Sequence, residues 1–355
     1  MLILDKCTHS DEKKLLINSF FNDGIEKYVL GCNENSKQLL NHFKFDGYID
    51  DFSSLNEFNN LPVYKSSSIK NKASIIVSSS LAIYPKTAIN NLKSNGFFNI
   101  LSILDISNEI GFNIIFLSDA KKDIVKNYEK YKKIFELLND SDSKKIFQNI
   151  LNFRCNFDLS FMEDYIVDFK RQYFEDFLDL KEGEVFVDVG GYDGATSVEF
   201  IKNCPKYKSI NIFEPSEFNL VKARENLKGF NNVNFFAKGL SNERATYKFN
   251  SDSGSASVIS DDGSSSIEVD TLDNLVKEPV SFIKVDIEGW EAMAIEGMKN
   301  HILNDHPKLA ISVYHKVDDF WKIPEQILSI RNDYKLYMRH YTEGTDETVM
   351  FFIPN

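Results

Sequence analysis

Apolar and polar positions along the chain fall into three regimes. From Lys27 to about Asp105, short apolar runs alternate with helix-like stretches. "KYVLGC", "FDGYIDD" and "ASIIVSS" predict strands, "NSKQLLNHF" a helix, and "PKTAINNLKSNGF" a helix opened by proline. Strand and helix in alternation imply a small parallel sheet. Between Ser118 and about Leu180 the apolar residues of "IVKNYEKYKKIFELL" and "MEDYIVDFKRQYFEDFLDL" recur at helical spacing with sparse glycine or proline, which predicts a helical connector.

From Glu184 onward a second, fuller alternation begins. Strands are predicted at "EVFVDV", "SINIFEP", "NVNFFAKG", "SFIKVDIEG" and "KLAISVYH", with helices opening near Gly194, Ser216 and Trp290. "DYKLYMRHY" and "ETVMFFIP" carry no helical period and predict a closing antiparallel pair. The pattern predicts an α/β protein of three parts: a small Rossmann-like domain over residues 1–117, a helical connector over 118–180, and a seven-stranded doubly wound domain over 181–355. The serine- and glycine-rich stretch Ser251 to Ile267 interrupts the last alternation and predicts a polar loop placed to cover a ligand site.

Charge then excludes one class of partner. A net charge of −12 lacks the basic footprint that neutralising phosphates in nucleic acid requires. Cys7, Cys32, Cys155 and Cys204 show no C-x-x-C pair, so reduced thiols and a cytoplasmic location are expected. No run approaches the roughly 18 apolar residues of a membrane span, and no membrane insertion is expected.

The chemistry begins at "EVFVDVGGYDGAT". Glycine-rich turns after a strand commonly cradle phosphates, but here Asp188 precedes the turn and Asp193 lies in it. Gly190, Gly191 and Gly194 do not follow the dinucleotide spacing. A cofactor with a cationic end, such as S-adenosylmethionine, gains from nearby acids where NAD would lose. Glu214 follows the next strand about 20 residues on, where a carboxylate can accept hydrogen bonds from both ribose hydroxyls. Asp286 and Glu288, two apart at a strand end, can share one face of the cleft and orient a substrate hydroxyl, contact the cofactor or hold a metal. His315 ends the following strand and is the expected general base, neutral near its ordinary pKa of about 6.5. Arg339 and His340 are weaker candidates for the same neighbourhood.

Together "VFVDVGGYDG", "IFEP", "FIKVDIEGWE", "AISVYHKVDDFWKIPE" and "YKLYMRHY…ETVMFFI" resemble the FkbM-type S-adenosylmethionine-dependent methyltransferases, over about Gln172 to Ile353. The resemblance implies the class I methyltransferase fold. It implies that Asp188, Gly190 and Gly194 line the methionine end of the cofactor, that Glu214 holds its ribose, and that Asp286, Glu288 and His315 lie near the transferred methyl. "QYF", Gln172 to Phe174, is typical of sugar-pathway members, which makes Tyr173 with Glu288 and His340 the expected acceptor contacts. The N-terminal part is similar to the small Rossmann-like domain of some bacterial sugar acyltransferases. Its Gly31 is followed by Cys32-Asn33-Glu34 rather than further glycines, so scaffolding or homodimerisation is favoured over nucleotide-sugar docking.

The expected function is therefore O-methylation of a sugar or nucleotide-activated sugar in bacterial surface polysaccharide synthesis. The small-molecule alternative is a phosphate-type capsule modification, and the alternative of another class is a non-catalytic scaffold. A divalent metal held by Asp286, Glu288 and His315 is a variant of the mechanism that the sequence does not favour.

Overall fold

The computed structural model describes residues 10–249 and 265–355, so the insertion expected to cover the site lies outside the described residues up to residue 264. The chain forms two compact units. The first comprises Met1–Tyr128, Phe147–Val167 and Tyr341–Asp346, the second Glu129–Ile146, Asp168–His340 and Glu347–Asn355.

In the first unit, helix α1 (Asp11–Phe20), which the sequence reading did not anticipate, precedes a six-stranded sheet. Its strands are β1 (Lys27–Leu30), β2 (Gly47–Ile49), β3 (Glu57–Phe58), β4 (Leu61–Tyr64), β5 (Ile75–Ser78) and β6 (Ile100–Ser102), ordered β3-β4-β2-β1-β5-β6. All neighbours pair in parallel except β3 with β4. Strands β2 and β5 are buried along their whole length, as in a parallel sheet covered on both faces. Asn33, where a phosphate loop would need glycine, instead caps α2 (Glu34–Leu40): its side chain accepts from Ser36 N at 3.0 Å, and its own N–H donates to Ser36 Oγ at 3.0 Å. Helix α3 (Pro85–Ser94) opens on proline as predicted. Glu343, in the last segment of this unit, accepts from Thr87 N and Thr87 Oγ1 at 2.8 and 2.6 Å, while Glu343 N and Thr345 N donate to Ile83 O and Leu81 O.

The expected connector is shared between the units. After α4 (Ile103–Ile110), helix α5 (Ile115–Lys126) packs in the first unit, whereas most of α6 (Tyr128–Leu137) and the start of α7 (Ser141–Asn156) belong to the second. There Tyr131 Oη donates to Val317 O at 2.9 Å and Arg339 pairs with Asp140 at 2.7 Å. Helix is not continued through "MEDYIVDFKRQYFEDFLDL", a correction to the sequence expectation. Only short 3₁₀ turns occur at Leu159–Met162 and Asp176–Leu178, and Tyr173 and Asp179 adopt φ of +70° and +46°, which no right-handed helix accommodates.

The second unit contains a seven-stranded sheet ordered β15-β16-β14-β13-β7-β8-β9. Strands β7 (Val185–Val189), β8 (Ser209–Phe213) and β9 (Val233–Phe236) alternate with α8 (Ala195–Asn203) and α9 (Glu217–Asn226). A side sheet of β10 (Gly239–Leu240), β11 (Ala245–Phe249) and β12 (Ser265–Asp270), ordered β10-β12-β11, follows. The main sheet resumes with β13 (Phe282–Val285), β14 (Lys308–Ser312), and the antiparallel pair β15 (Tyr334–His340) and β16 (Thr348–Pro354). Helices α10 (Leu272–Leu275), α11 (Glu291–Gly297), α12 (Lys299–Asn304) and α13 (Asp319–Ile330) pack around it. The order reverses between β13 and β7, whose carboxyl ends are where ligands enter such sheets. Among the described residues no helix is long and apolar enough to cross a membrane.

Candidate active site

A cavity of 510 Å³ opens at the carboxyl ends of β7, β8 and β13, lined by Gly190, Glu214, Lys284, Asp286 and Glu288 among others. The turn after β7 forms its floor. Gly190 has φ +77°, and a Cβ there would stand 1.9 Å from the carbonyl oxygen of Asp286, so the close approach of the two strand ends demands glycine. Gly190 N and Gly191 N both donate to Phe213 O, at 2.9 and 3.1 Å, holding the turn across to β8.

Asp188 and Gly194 do not reach the cavity wall, which corrects the expected direct cofactor contact. The Asp188 side chain is 0% exposed, accepting from Ser197 Oγ at 2.7 Å and pairing with Lys284 Nζ at 3.1 Å. Gly194, at φ +82°, serves as the N-cap of α8. Lys284 went unremarked in the sequence reading, although a lysine inside the apolar run "FIKV" is itself a signal. Its ammonium also donates to Val189 O and Gly190 O at 3.2 and 2.7 Å. Burial works against this charge, but Asp188 and then Asp286 outweigh it and leave the lysine above its ordinary pKa.

Glu214 sits just past β8 with both oxygens directed by backbone. Oε2 accepts from Tyr192 N at 3.1 Å and Oε1 from Ser216 N at 2.8 Å. Oε1 also accepts from Asn219 Nδ2 at 3.5 Å, so Oε2 is the oxygen with acceptor capacity to spare. Burial raises its pKa despite those hydrogen bonds.

Beyond β13, the segment Asp286-Ile287-Glu288-Gly289 turns sharply, with Glu288 and Gly289 at φ +53° and +92°. Asp286 Oδ2 accepts from Tyr173 Oη at 2.6 Å, and Asp286 Oδ1 accepts from Tyr314 Oη at 3.4 Å. Tyr173 is therefore a cavity residue whose left-handed backbone aims its hydroxyl at Asp286. Burial and then Asp286 keep that phenol protonated, well above its usual range. Its neighbour Gln172 donates to the Tyr173 hydroxyl at 3.0 Å and to Glu347.

His315 stands behind this wall with 7% of its side chain exposed. Its Nδ1 meets Glu291 Oε1 at 2.9 Å, and its Nε2 faces Asp286 Oδ1 at 3.4 Å and Glu288 Oε2 at 3.5 Å. Burial alone would lower its pKa, but the hydrogen bond and charge of Glu291, with Asp286 and Glu288, raise it to about 9. The expectation of a neutral imidazole ready to accept a proton is corrected: at pH 7 the ring is an imidazolium held by carboxylates. Glu291, 1% exposed, also accepts from Ile287 N at 3.0 Å and was missed because its position at the start of α11 reads as an ordinary first-turn acid. Behind it, Asp319 is raised to about 7 by burial and by the charge of Glu291. His340 is not brought to the cavity. It lies buried in β15 with Nδ1 at 2.9 Å from Thr348 Oγ1 on β16, and Arg339 is committed to Asp140.

The seven-stranded sheet with its closing antiparallel pair and its glycine turn at the sheet's point of reversal defines a class I methyltransferase fold. The profile of the methyltransferase FkbM domain matches residues 188–341. A methyltransferase FkbM from Methylobacillus flagellatus KT superposes over 96% of this chain and 98% of its own, at 22% identity and a TM-score of 0.71, so the two share a fold. An rRNA methylase from Streptococcus thermophilus (19% identity, 50% of this chain, 92% of its own, TM-score 0.35) and a precorrin-6y C5,15-methyltransferase from Geobacter metallireducens GS-15 (15%, 50%, 83%, 0.33) match more distantly. No curated protein matches. Residues 188–341, nearly all of them in the second unit, thus match the methyltransferase FkbM domain, and the fold is that of a methyltransferase.

Proposed function

We propose that the protein transfers the methyl group of S-adenosylmethionine to a hydroxyl of a sugar or nucleotide-activated sugar, in the cytoplasmic stages of surface polysaccharide synthesis. The observation that supports the cofactor is the cavity edge itself: a tight glycine turn at Gly190, which has no room for a Cβ against the Asp286 carbonyl, beside the buried, cavity-lining Glu214 just past the next strand, where a ribose would be held. These residues fit the group. Gly190 would lie against its methionine end, Glu214 would accept from its ribose hydroxyls, and the acidic wall of Asp286 and Glu288 suits its positive charge.

Bound there, the cofactor supplies an electrophilic methyl on a sulfonium, which an acceptor oxygen displaces. The chain aligns that oxygen and removes its proton. Tyr173 and Gln172 line the acceptor end of the cavity, and Asp286, which Tyr173 orients, is the carboxylate placed to take the proton. The His315 imidazolium steadies the carboxylates around it instead of acting as the base. Positioning of this kind contributes several kcal/mol to lowering a barrier. The sugar assignment is supported by the sequence likeness of both halves of the chain to polysaccharide-pathway proteins.

Calorimetric titration of the full chain with S-adenosylhomocysteine, repeated with NADH, tests the reading. Micromolar binding of the first alone is expected, followed by methyl transfer to a sugar nucleotide in an acceptor screen. Binding of NADH alone would overturn the cofactor assignment.

A further inference from the structure

Glu291 makes contacts that an acid in the first turn of a helix does not need. Its side chain is 1% exposed, and its Oε1 is shared by three donors: His315 Nδ1 at 2.9 Å, Ile287 N at 3.0 Å and Gly289 N at 3.3 Å. Its Oε2 is buried with no hydrogen-bond partner among the described residues. A buried carboxylate left half satisfied costs stability that a neutral side chain of similar size would spare. Packing therefore does not account for it.

The three donors belong to the two segments that meet at the cavity acids. Ile287 and Gly289 flank Glu288 in the turn after β13, where Glu288 and Gly289 hold φ of +53° and +92°. With both N–H groups fastened to one oxygen, this turn sets Asp286 and Glu288 on the cavity lining. His315 comes from the segment after β14. Held at Nδ1, its ring directs the Nε2 N–H between the two acids, 3.4 Å from Asp286 Oδ1 and 3.5 Å from Glu288 Oε2. Two carboxylates that face one point repel each other, and a cation between them lets both stay ionised. Burial alone would discharge that ring, and the hydrogen bond and charge of Glu291 are the foremost of the effects that hold its pKa at about 9. The remaining groups around it are Tyr314, whose ring lies 4.1 Å from the imidazole, Lys316, whose side chain packs over Gly289, and Asp319 from α13, which accepts from Lys316 N at 2.7 Å.

We propose that Glu291 is a positioning residue of the active site: its Oε1 fastens the turn that bears Asp286 and Glu288 and holds the His315 imidazolium between them, so that both acids meet the cofactor ionised and in fixed places. Its use in catalysis rests on the methyl-transfer reading. The arrangement of charge does not.

The test compares the full chain with Glu291→Gln, which keeps an oxygen for Ile287 N and Gly289 N but removes the charge. The ring nitrogens of His315 are followed through a pH titration by nuclear magnetic resonance of histidine-labelled protein, their signals assigned by absence from His315→Asn. S-adenosylhomocysteine is titrated calorimetrically into both proteins over the same pH range, a comparison in which the ligand's own ionisation cancels. Because the His315 pKa is raised, its charge is present below about 9 and lost as pH rises through that value. In Glu291→Gln the His315 midpoint and the alkaline limb of S-adenosylhomocysteine binding should move down together, by about 1–3 pH units. A purely structural role for Glu291 would leave the midpoint in place, and an unmoved midpoint in folded Glu291→Gln overturns the proposal. So does a midpoint that moves while the limb stays. Should circular dichroism show Glu291→Gln misfolded, the wild-type chain decides: a midpoint near 9 that coincides with the limb supports the proposal, and one at the ordinary value of about 6.5 overturns it. S-adenosylhomocysteine bound by a chain with that ordinary midpoint defeats the role of Glu291 and leaves methyl transfer standing. A midpoint that moves as expected in a chain that does not bind S-adenosylhomocysteine supports the hold of Glu291 on the imidazolium and defeats the methyl-transfer reading.

Discussion

Replacing Lys284 by methionine removes an ammonium from the centre of the second unit while nearly conserving side-chain volume. The side chains of Lys284 and its partner Asp188 are 3% and 0% exposed, so neither charge has water to turn to. After the substitution Asp188 keeps only the Ser197 hydroxyl at 2.7 Å among the partners described above, and the Gly190 carbonyl loses the ammonium donor while Val189 O keeps Asp286 N at 3.1 Å. Breaking a buried pair from one side costs about 3–5 kcal/mol, because the surviving charge is stranded. With a urea m value of about 2 kcal/mol/M, the midpoint should fall by about 2 M. Trp290 and Trp321 both lie in the second unit, so tryptophan fluorescence reports its unfolding. Asp188→Asn should also destabilise, yet Lys284→Met with Asp188→Asn should lose less than the two singles together, by about 1–3 kcal/mol, since no charge is then stranded. Additivity within about 0.5 kcal/mol would refute the coupling. So would a Lys284→Met protein that unfolds at the wild-type midpoint.

Two other perturbations address the cofactor edge. Gly190→Ala must either push the Asp286 carbonyl away from a Cβ at 1.9 Å or abandon φ +77°, so S-adenosylhomocysteine affinity should fall at least about tenfold with a lowered melting temperature, measured by calorimetry. Burial raises the Glu214 pKa above 4.5, so the acid limb of S-adenosylhomocysteine binding should lie at higher pH than an ordinary glutamate gives, and Glu214→Gln should remove it. Stability runs the other way: a raised carboxyl pKa makes ionised Glu214 a cost above that pKa, relieved as pH falls through it.

The parts of the fold legible in the sequence were those written in strict periods. The strands "VFVDV", "SINIF", "FIKV" and "KLAIS" and the helices beginning after Gly194, Ser216 and Trp290 occur where apolar runs and cap residues place them. The antiparallel ending was equally plain. The two-residue strands β3 and β10 were not, because elements so short have no period and exist only through their partners. The helical reading of residues 162–180 failed for a related reason: its apolar residues recur at helical spacing, but tertiary demands at Tyr173 override local preference. At the site, Asp286 and Glu288 were visible as paired acids at a strand end. The charge state of His315 was not, since it depends on Glu291 and on burial, neither of which spacing reveals. Lys284 shows the same limit, since its partner Asp188 lies on β7, 96 residues earlier in the chain.

The interleaving of the two units bears on how the protein is made. The polypeptide passes from one unit to the other five times, and the last piece of the first unit, Tyr341–Asp346, follows β15 of the seven-stranded sheet. Gly344 in that piece has no room for a side chain against the carbonyls of Leu81 and Ala82, and Glu343 closes on Thr87. During synthesis from the amino end at about 5–20 residues per second, the six-stranded sheet is translated before the seven-stranded one, yet the unit that contains it receives its final strip only after six strands of the seven-stranded sheet have been made. A gene cut between the two sheets would deliver neither unit entire.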